Sequence, residues 1–216
     1  MLNAPDKRRA LQAYEQILDM ILGGRAHPGE LITERRLAEA LEMSRTPVRD
    51  ALLMLEAEGL LIRQGSRGLQ VKQMRIEDYM DALQIRLLLE PAVARLAAGR
   101  LAAEDIAPLR ARLAEILAGA GPHPADRAQV RDVDEDLHGL IADAARNPQL
   151  SQIIRTLRRQ TQMFDLRSMP ERLRDSCNEH LAILDALAAG DGEAAERAMT
   201  AHLGRVRDSI IQRLAG

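Results

Sequence analysis

Aromatic side chains are almost missing from this chain. Tyr14, Tyr79 and Phe164 are the only three, and tryptophan is absent. Packing must therefore rest on Leu, Ala, Ile, Val and Met, which suits close-set helices better than stacked sheets. Cys177 is the single cysteine, which excludes a disulfide framework within the chain and fits a reducing compartment. No apolar run reaches the 18 residues that would suggest a membrane span, and the start MLNAPDKRRA has no apolar signal segment. The expectation is a cytoplasmic protein with no membrane partner. A strong net charge is also lacking: the sum is −2, with residues 1–74 at +1 and residues 75–216 at −3. Bulk charge thus does not announce nucleic-acid binding, and that argument must come from where particular arginines point.

What is present is punctuation and helical periodicity. At 216 residues the chain can form two compact domains. A first helix is predicted over about 7–22, with Leu11, Tyr14, Leu18, Ile21 and Leu22 on one stripe and Gly23-Gly24 as its stop. Leu31-Ile32 is a short apolar stretch able to dock as a strand. Thr33 is placed to cap a helix over 34–41 that buries Leu37, Ala38 and Leu41, and Ser44 to cap the next over 44–58. Pro47 falls in the first turn of that second helix, where a missing N–H costs nothing. Val48, Ala51, Leu52 and Leu55 form its apolar stripe, and Leu53 falls near the exposed side. Residues 60–62 and 69–71 read as two short strands around the glycine-bearing loop Arg63–Gly68, a β-hairpin. Beyond Ile76 only helices are suggested, at about 76–99, 104–118, 126–145, 149–167, 171–189 and 193–214. The fold class expected is mainly α: an N-terminal helix-turn-helix with a small β-hairpin wing over 1–74, and an all-α antiparallel bundle over 75–216.

Two short helices joined by a tight turn can place the start of the second in the DNA major groove. Arg45 and Arg49 share a face at i,i+4 and, with Thr46, point away from the Val48/Leu52/Leu55 stripe. A guanidinium's forked donors suit guanine edges or phosphate. Arg35 can reach the DNA backbone, and Arg63 and Arg67 flank a hairpin whose glycines allow close approach. The competing reading is a solvated face in which these arginines pair with Glu34, Glu39 and Asp50. The position at the start of a second helix, followed by a wing, favours DNA.

Three of the five histidines lie within apolar stripes. Asp134 and His138 are an i,i+4 pair among Val133, Leu137 and Ile141. His180 aligns with Cys177, Leu184 and Leu187, and His202 with Ala198, Met199 and Val206. A carboxylate and three imidazoles in a helical core cost several kcal/mol unless paired or metal-bound. They are either hydrogen-bonded core residues or a site for a divalent ion such as Zn, Ni, Mn or Fe. Arg86 can pair with Glu90 one turn on, worth a few tenths of a kcal/mol at the surface.

Residues 28–71, with PGE, TERRLAEAL, SRTPVRDAL and LEAEGLL, resemble the winged helix-turn-helix of the GntR superfamily of bacterial transcription regulators. The resemblance implies that Arg35, Arg45, Thr46 and Arg49 contact DNA and that Gly65 lies in the wing. The helical region resembles the FCD ligand-binding domain of the FadR subfamily through IRLLLEPA, DVDEDLHGLIADAARNPQL, EHLAILDALAAGD and AHL. That domain holds a metal with an Asp and three His, which fall here on Asp134, His138, His180 and His202. By the same resemblance, Arg86 helps clamp an effector carboxylate. Two positions depart from the pattern: Leu137 stands where Phe is usual, and Arg146 where Gly is usual before Asn-Pro.

The resulting expectation is a non-enzymatic, metabolite-responsive regulator, a repressor by the family's commoner habit. It would bind palindromic double-stranded operator DNA as a homodimer and sense a small organic acid at the metal. The rivals are a metal-dependent enzyme using the Asp/His site, and a DNA-binding protein whose metal is purely structural. Four protein ligands leave fewer open positions than a catalytic site, and no HExxH arrangement accompanies them.

Overall fold

A computed structural model describes residues 4–65, 68–119, 124–164 and 172–215. The chain divides into two compact units: Met1–Tyr79 with Arg159–Phe164, and Met80–Arg158 with Asp165–Gly216.

In the first unit, α1 (Ala4–Leu22) is followed by β1 (Leu31–Ile32), α2 (Glu34–Ala40), α3 (Arg45–Ala57), β2 (Leu61–Arg63) and β3 (Leu69–Val71). α1 packs on α3, and their core combines Ala13, Tyr14, Ile17 and Ile21 with Val48, Ala51, Leu52 and Leu55. Leu11, expected on the buried stripe, is exposed instead, because the face turned to α3 runs through Ala13, Tyr14, Ile17 and Ile21. The three strands are antiparallel in the order β1-β3-β2, pairing Ile32 with Leu69 and Leu61 with Val71. The Leu31-Ile32 stretch thus closes the hairpin into a sheet.

Thr33 caps α2 as expected, its Oγ1 accepting from Arg36 N at 3.4 Å. Ser44 occupies the cap position of α3 in extended backbone but makes no side-chain cap bond, so the expected capping interaction is absent there. Leu41 is only partly buried, whereas Leu37 and Ala38 are in the core. Gly59 ends α3 at φ +73, a conformation that costs a side-chain-bearing residue about 1 kcal/mol or more. Tyr14 donates its hydroxyl to Glu58 Oε2 at 2.8 Å, and within the same unit Arg159 pairs with Glu58 at 2.9 Å and lies over the Tyr14 ring.

Helices joined by short turns make up the second unit, with no strand among its described residues. It comprises most of α4 (Ile76–Ala97), then α5 (Ala103–Gly119), α6 (Pro124–Ala144), the start of α7 (Pro148–Met163), α8 (Leu173–Ala188) and α9 (Gly192–Ala215). α8 packs against α5, α6 and α9, so it runs through the centre of the unit. It buries Cys177, His180, Ile183, Leu184 and Leu187 on one face. Local capping sets two of the starts: Asn147 Oδ1 accepts from Leu150 N at 3.2 Å before α7, and Asp191 Oδ1 from Ala194 N at 2.9 Å before α9. The expected breaks at Gly119–Pro124 and Met169-Pro170, and the helix end at 164–167, fall largely outside the described residues.

Candidate metal centre and nucleic-acid interface

Three helices bring the acidic and histidine side chains together. α6 supplies Asp134 and His138 one turn apart, α8 supplies His180, and α9 supplies His202. One ligand atom from each of the four lies within 4.8 Å of all the others. The ring centroids of His180 and His202 are 4.7 Å apart, and each is 5.4–5.7 Å from that of His138. All three imidazoles are buried, and Asp134 is partly so.

Carboxylates hold two of these rings from behind. Glu90 on α4 meets His138 Nδ1 in a short contact, and Glu179 on α8 meets His202 Nδ1 at 2.8 Å. Burial alone would raise both carboxyl pKa values. Instead both are lowered, Glu90 chiefly by Arg86 and His138, Glu179 chiefly by His202 and Arg172. Ionised carboxylates only accept, so Nδ1 donates and each ring presents its Nε2 lone pair. Burial, reinforced by the charge of Arg158, pushes His138 down to about 3, and burial also lowers His202. Neutral imidazole is the form that ligates a metal.

Asp134 is fixed from its other side. Burial would push its carboxyl up, but the Arg158 guanidinium on α7 outweighs that and holds it well below the usual range. Arg158 Nη2 donates to Asp134 Oδ2 at 2.5 Å and to its backbone oxygen at 3.0 Å, while Nε reaches Glu135 at 3.3 Å. Asp134 Oδ1 is left facing His180 Nε2 at 3.2 Å and His138 Nε2 at 3.6 Å. The 3.2 Å approach lacks hydrogen-bond geometry. Consequently His138 Nε2 and both ring nitrogens of His180 are buried with no hydrogen-bond partner. Buried unpaired nitrogens are costly, and two of them, His138 Nε2 and His180 Nε2, facing a carboxylate oxygen fit a cation. The donor span slightly exceeds twice the ~2.1 Å length of an ordinary metal–N/O bond, so one ion could engage all four after a small contraction.

Arg86 stands behind this cluster. Its Nε donates to Glu90 Oε1 at 2.6 Å, and both side chains are buried. The surface i,i+4 pair expected from spacing is therefore a core ion pair, linked through Glu90 to His138. Sequence reasoning missed Glu179, Arg158 and Arg172, and saw Glu90 only as a partner for Arg86. The available signal was a charge on an apolar stripe, as with Arg158 one turn after Ile154 and followed by Thr161, all buried.

In the first unit, Arg45, Thr46 and Arg49 are exposed at the start of α3, and Arg35 is exposed on α2. Glu34 binds Arg45 Nε at 2.8 Å and Arg49 Nε at 2.9 Å, while Arg35 lies 3.8 Å from Glu39. In the wing, Arg63 makes a two-bond pair with Glu56. Gly65 has φ +56 with open space where a Cβ would stand. Arg67 lies outside the described residues. Leu53 is exposed, as its place on the helix required.

A family model described as "Bacterial regulatory proteins, gntR family" matches residues 9–71, and one described as "FCD domain" matches residues 81–205. The chain belongs to the GntR family, in its FCD-containing branch. The HTH-type transcriptional regulator LutR of Bacillus subtilis is 33% identical over 88% of this chain and 96% of its own length. The HTH-type transcriptional repressor RspR of Escherichia coli K12 is 31% identical over 86% and 81%, respectively. The galactonate operon transcriptional repressor of the same organism is 30% identical over 82% and 86%. Among solved structures, E. coli McbR/YncC superposes with a TM-score of 0.82 over 99% of this chain and all of that one, at 23% identity, a likeness of fold. This GntR-family chain is thus a DNA-binding transcription regulator with a winged helix-turn-helix and an FCD domain. No described helix is long and apolar enough to cross a membrane.

Proposed function

We propose that the protein is a metabolite-responsive repressor whose operator affinity is set by a small carboxylate bound at a divalent ion. The observation that carries this reading is the set of unpartnered ring nitrogens around Asp134 Oδ1. Asp134, His138, His180 and His202 would hold the ion, with Zn, Ni, Mn and Fe all compatible with imidazole and carboxylate donors. When bound, it supplies concentrated positive charge that attracts a carboxylate. Glu90 and Glu179 orient the rings, Arg158 orients Asp134, and Arg86 offers the candidate second contact for the acid.

On the DNA side, Arg35, Arg45, Thr46 and Arg49 contact the duplex, with Gly65 in the wing. A homodimer would set two recognition helices on a palindromic operator about one helical turn apart. Supporting the dimer, α4 exposes Ile85, Leu88, Ala92 and Leu96 on one stripe, Leu88 at 71%. An apolar stripe of this kind marks an association surface. An acid that binds two quaternary arrangements unequally shifts their populations and so the fit to the operator.

The test has two parts. Elemental analysis of His180→Ala is expected to show reduced metal stoichiometry; unchanged stoichiometry would remove His180 from the ligand set. A thermal-shift screen of small carboxylic acids on metal-loaded protein should yield an acid that raises apparent stability and changes operator affinity. If chelation merely unfolds the protein and no acid alters DNA binding, the metal is structural and the sensor reading fails.

A further inference from the structure

Glu34 is the first residue of α2, where the helix N-terminus favours a carboxylate. Its side chain is 20% exposed, whereas Arg45 and Arg49 are 65% and 61% exposed. Both arginines converge on it from the next helix. Arg45 donates through Nε to Oε1 at 2.8 Å; Arg49 donates through Nε to Oε2 at 2.9 Å and through Nη2 to Oε1 at 3.1 Å. The two guanidiniums lower the carboxyl pKa of Glu34, with the Arg49 hydrogen bond as the leading cause.

Three consequences follow from this geometry. Two long side chains that would otherwise sample many rotamers are tied to one anchor, which reduces the entropy lost on docking. The local charge at the start of α3 falls from +2 to +1, weakening attraction to any phosphate regardless of sequence. Each guanidinium also keeps donors that these bonds do not use, since arginine carries five. A base edge that fits can therefore add to the Glu34 bonds, while a random backbone contact must compete with them.

We infer that Glu34 is a positioning residue for DNA selectivity: its carboxylate pre-orients Arg45 and Arg49 and suppresses their binding to non-operator DNA. The inference rests on the assignment of these two arginines as DNA contacts.

The experiment compares wild type, Glu34→Gln and Glu34→Asp in the full chain. Two duplexes serve as probes: one enriched by the wild-type protein from a randomised pool, and one of mixed sequence. Affinities are measured across a salt series. For Glu34→Gln, binding to the mixed duplex should strengthen about three- to tenfold at low salt, with a salt dependence steeper by about one phosphate contact. Affinity for the enriched duplex should change less, so the selectivity ratio falls. Glu34→Asp keeps the charge with a shorter reach and should lie between the two. It also serves as the measuring variant if thermal melting shows that Glu34→Gln does not fold. A folded variant with wild-type salt slope and selectivity would overturn the role of Glu34 and leave the DNA contacts of Arg45 and Arg49 standing. Wild-type protein that enriches no duplex would remove the DNA assignment and the inference together.

Discussion

Glu90 and Glu179 each stand behind an imidazole, and their effect works through the ring they hold. Each accepts from an Nδ1–H, fixes the tautomer and increases the basicity of Nε2. Glu179 is itself held by Arg172 at 2.9 Å, so its position is set before any ion arrives. Glu179→Gln is expected to retain metal stoichiometry while lowering metal affinity about 10- to 100-fold, as read by competition with a chromophoric chelator. Unchanged affinity would make Glu179 a packing residue only. Arg49, the proposed DNA contact, is tested at the same scale. Arg49→Ala should lower affinity for a selected operator by about 1–3 kcal/mol if it reads a base. An equal loss on mixed-sequence DNA would instead make it a phosphate contact. Cys177 is buried on α8 one turn before His180, and burial, with the Asp134 carboxylate, pushes its thiol up to about 11.

Helix termini decide much at the scale of elements. α6 gives way to α7 through Arg146, which has φ +56, one of two described non-glycine residues with positive φ. Glycine is the resemblance-based expectation at this position, and the left-handed backbone explains it, because a Cβ there is strained. Arg146→Gly should therefore stabilise the fold by up to about 1 kcal/mol, the relief of strain being partly offset by greater freedom of the unfolded chain. Denaturant unfolding checks this, and a clear loss of stability would mean that the Arg146 side chain contributes more than its backbone costs. The start of α3 behaves differently. Ser44 makes no cap bond, and Pro47 removes one of the orphan donors that a cap would have served.

For the whole molecule, the proposed homodimer turns on which surface joins two copies. The exposed stripe on α4 lies on the helix that also carries Arg86 and Glu90, so an interface there would sit one helix face away from the carboxylate that holds His138. Leu88→Glu is expected to shift the protein toward monomer in sedimentation velocity and to weaken operator binding with it. A dimer that survives this substitution would place the interface on another surface.

The elements of the winged helix-turn-helix were legible from local pattern alone. Apolar residues at helical spacing, Thr33, Pro47, Gly59 and the glycine-marked wing act within a few residues of themselves, so chain order is enough to read them. The same holds for Asp134 and His138, which one turn of helix sets side by side. By contrast, no spacing relates Glu90 to His138, Glu179 to His202 or Arg158 to Asp134. Those contacts join residues on different helices, and periodicity gives the face of each helix without naming the neighbour it meets. By itself, the sequence determined which side chains had to find partners in the core. Only the packing of α4, α6, α7, α8 and α9 decided that Glu90, Glu179 and Arg158 stand behind the Asp/His cluster while ring nitrogens are left without a hydrogen-bond partner.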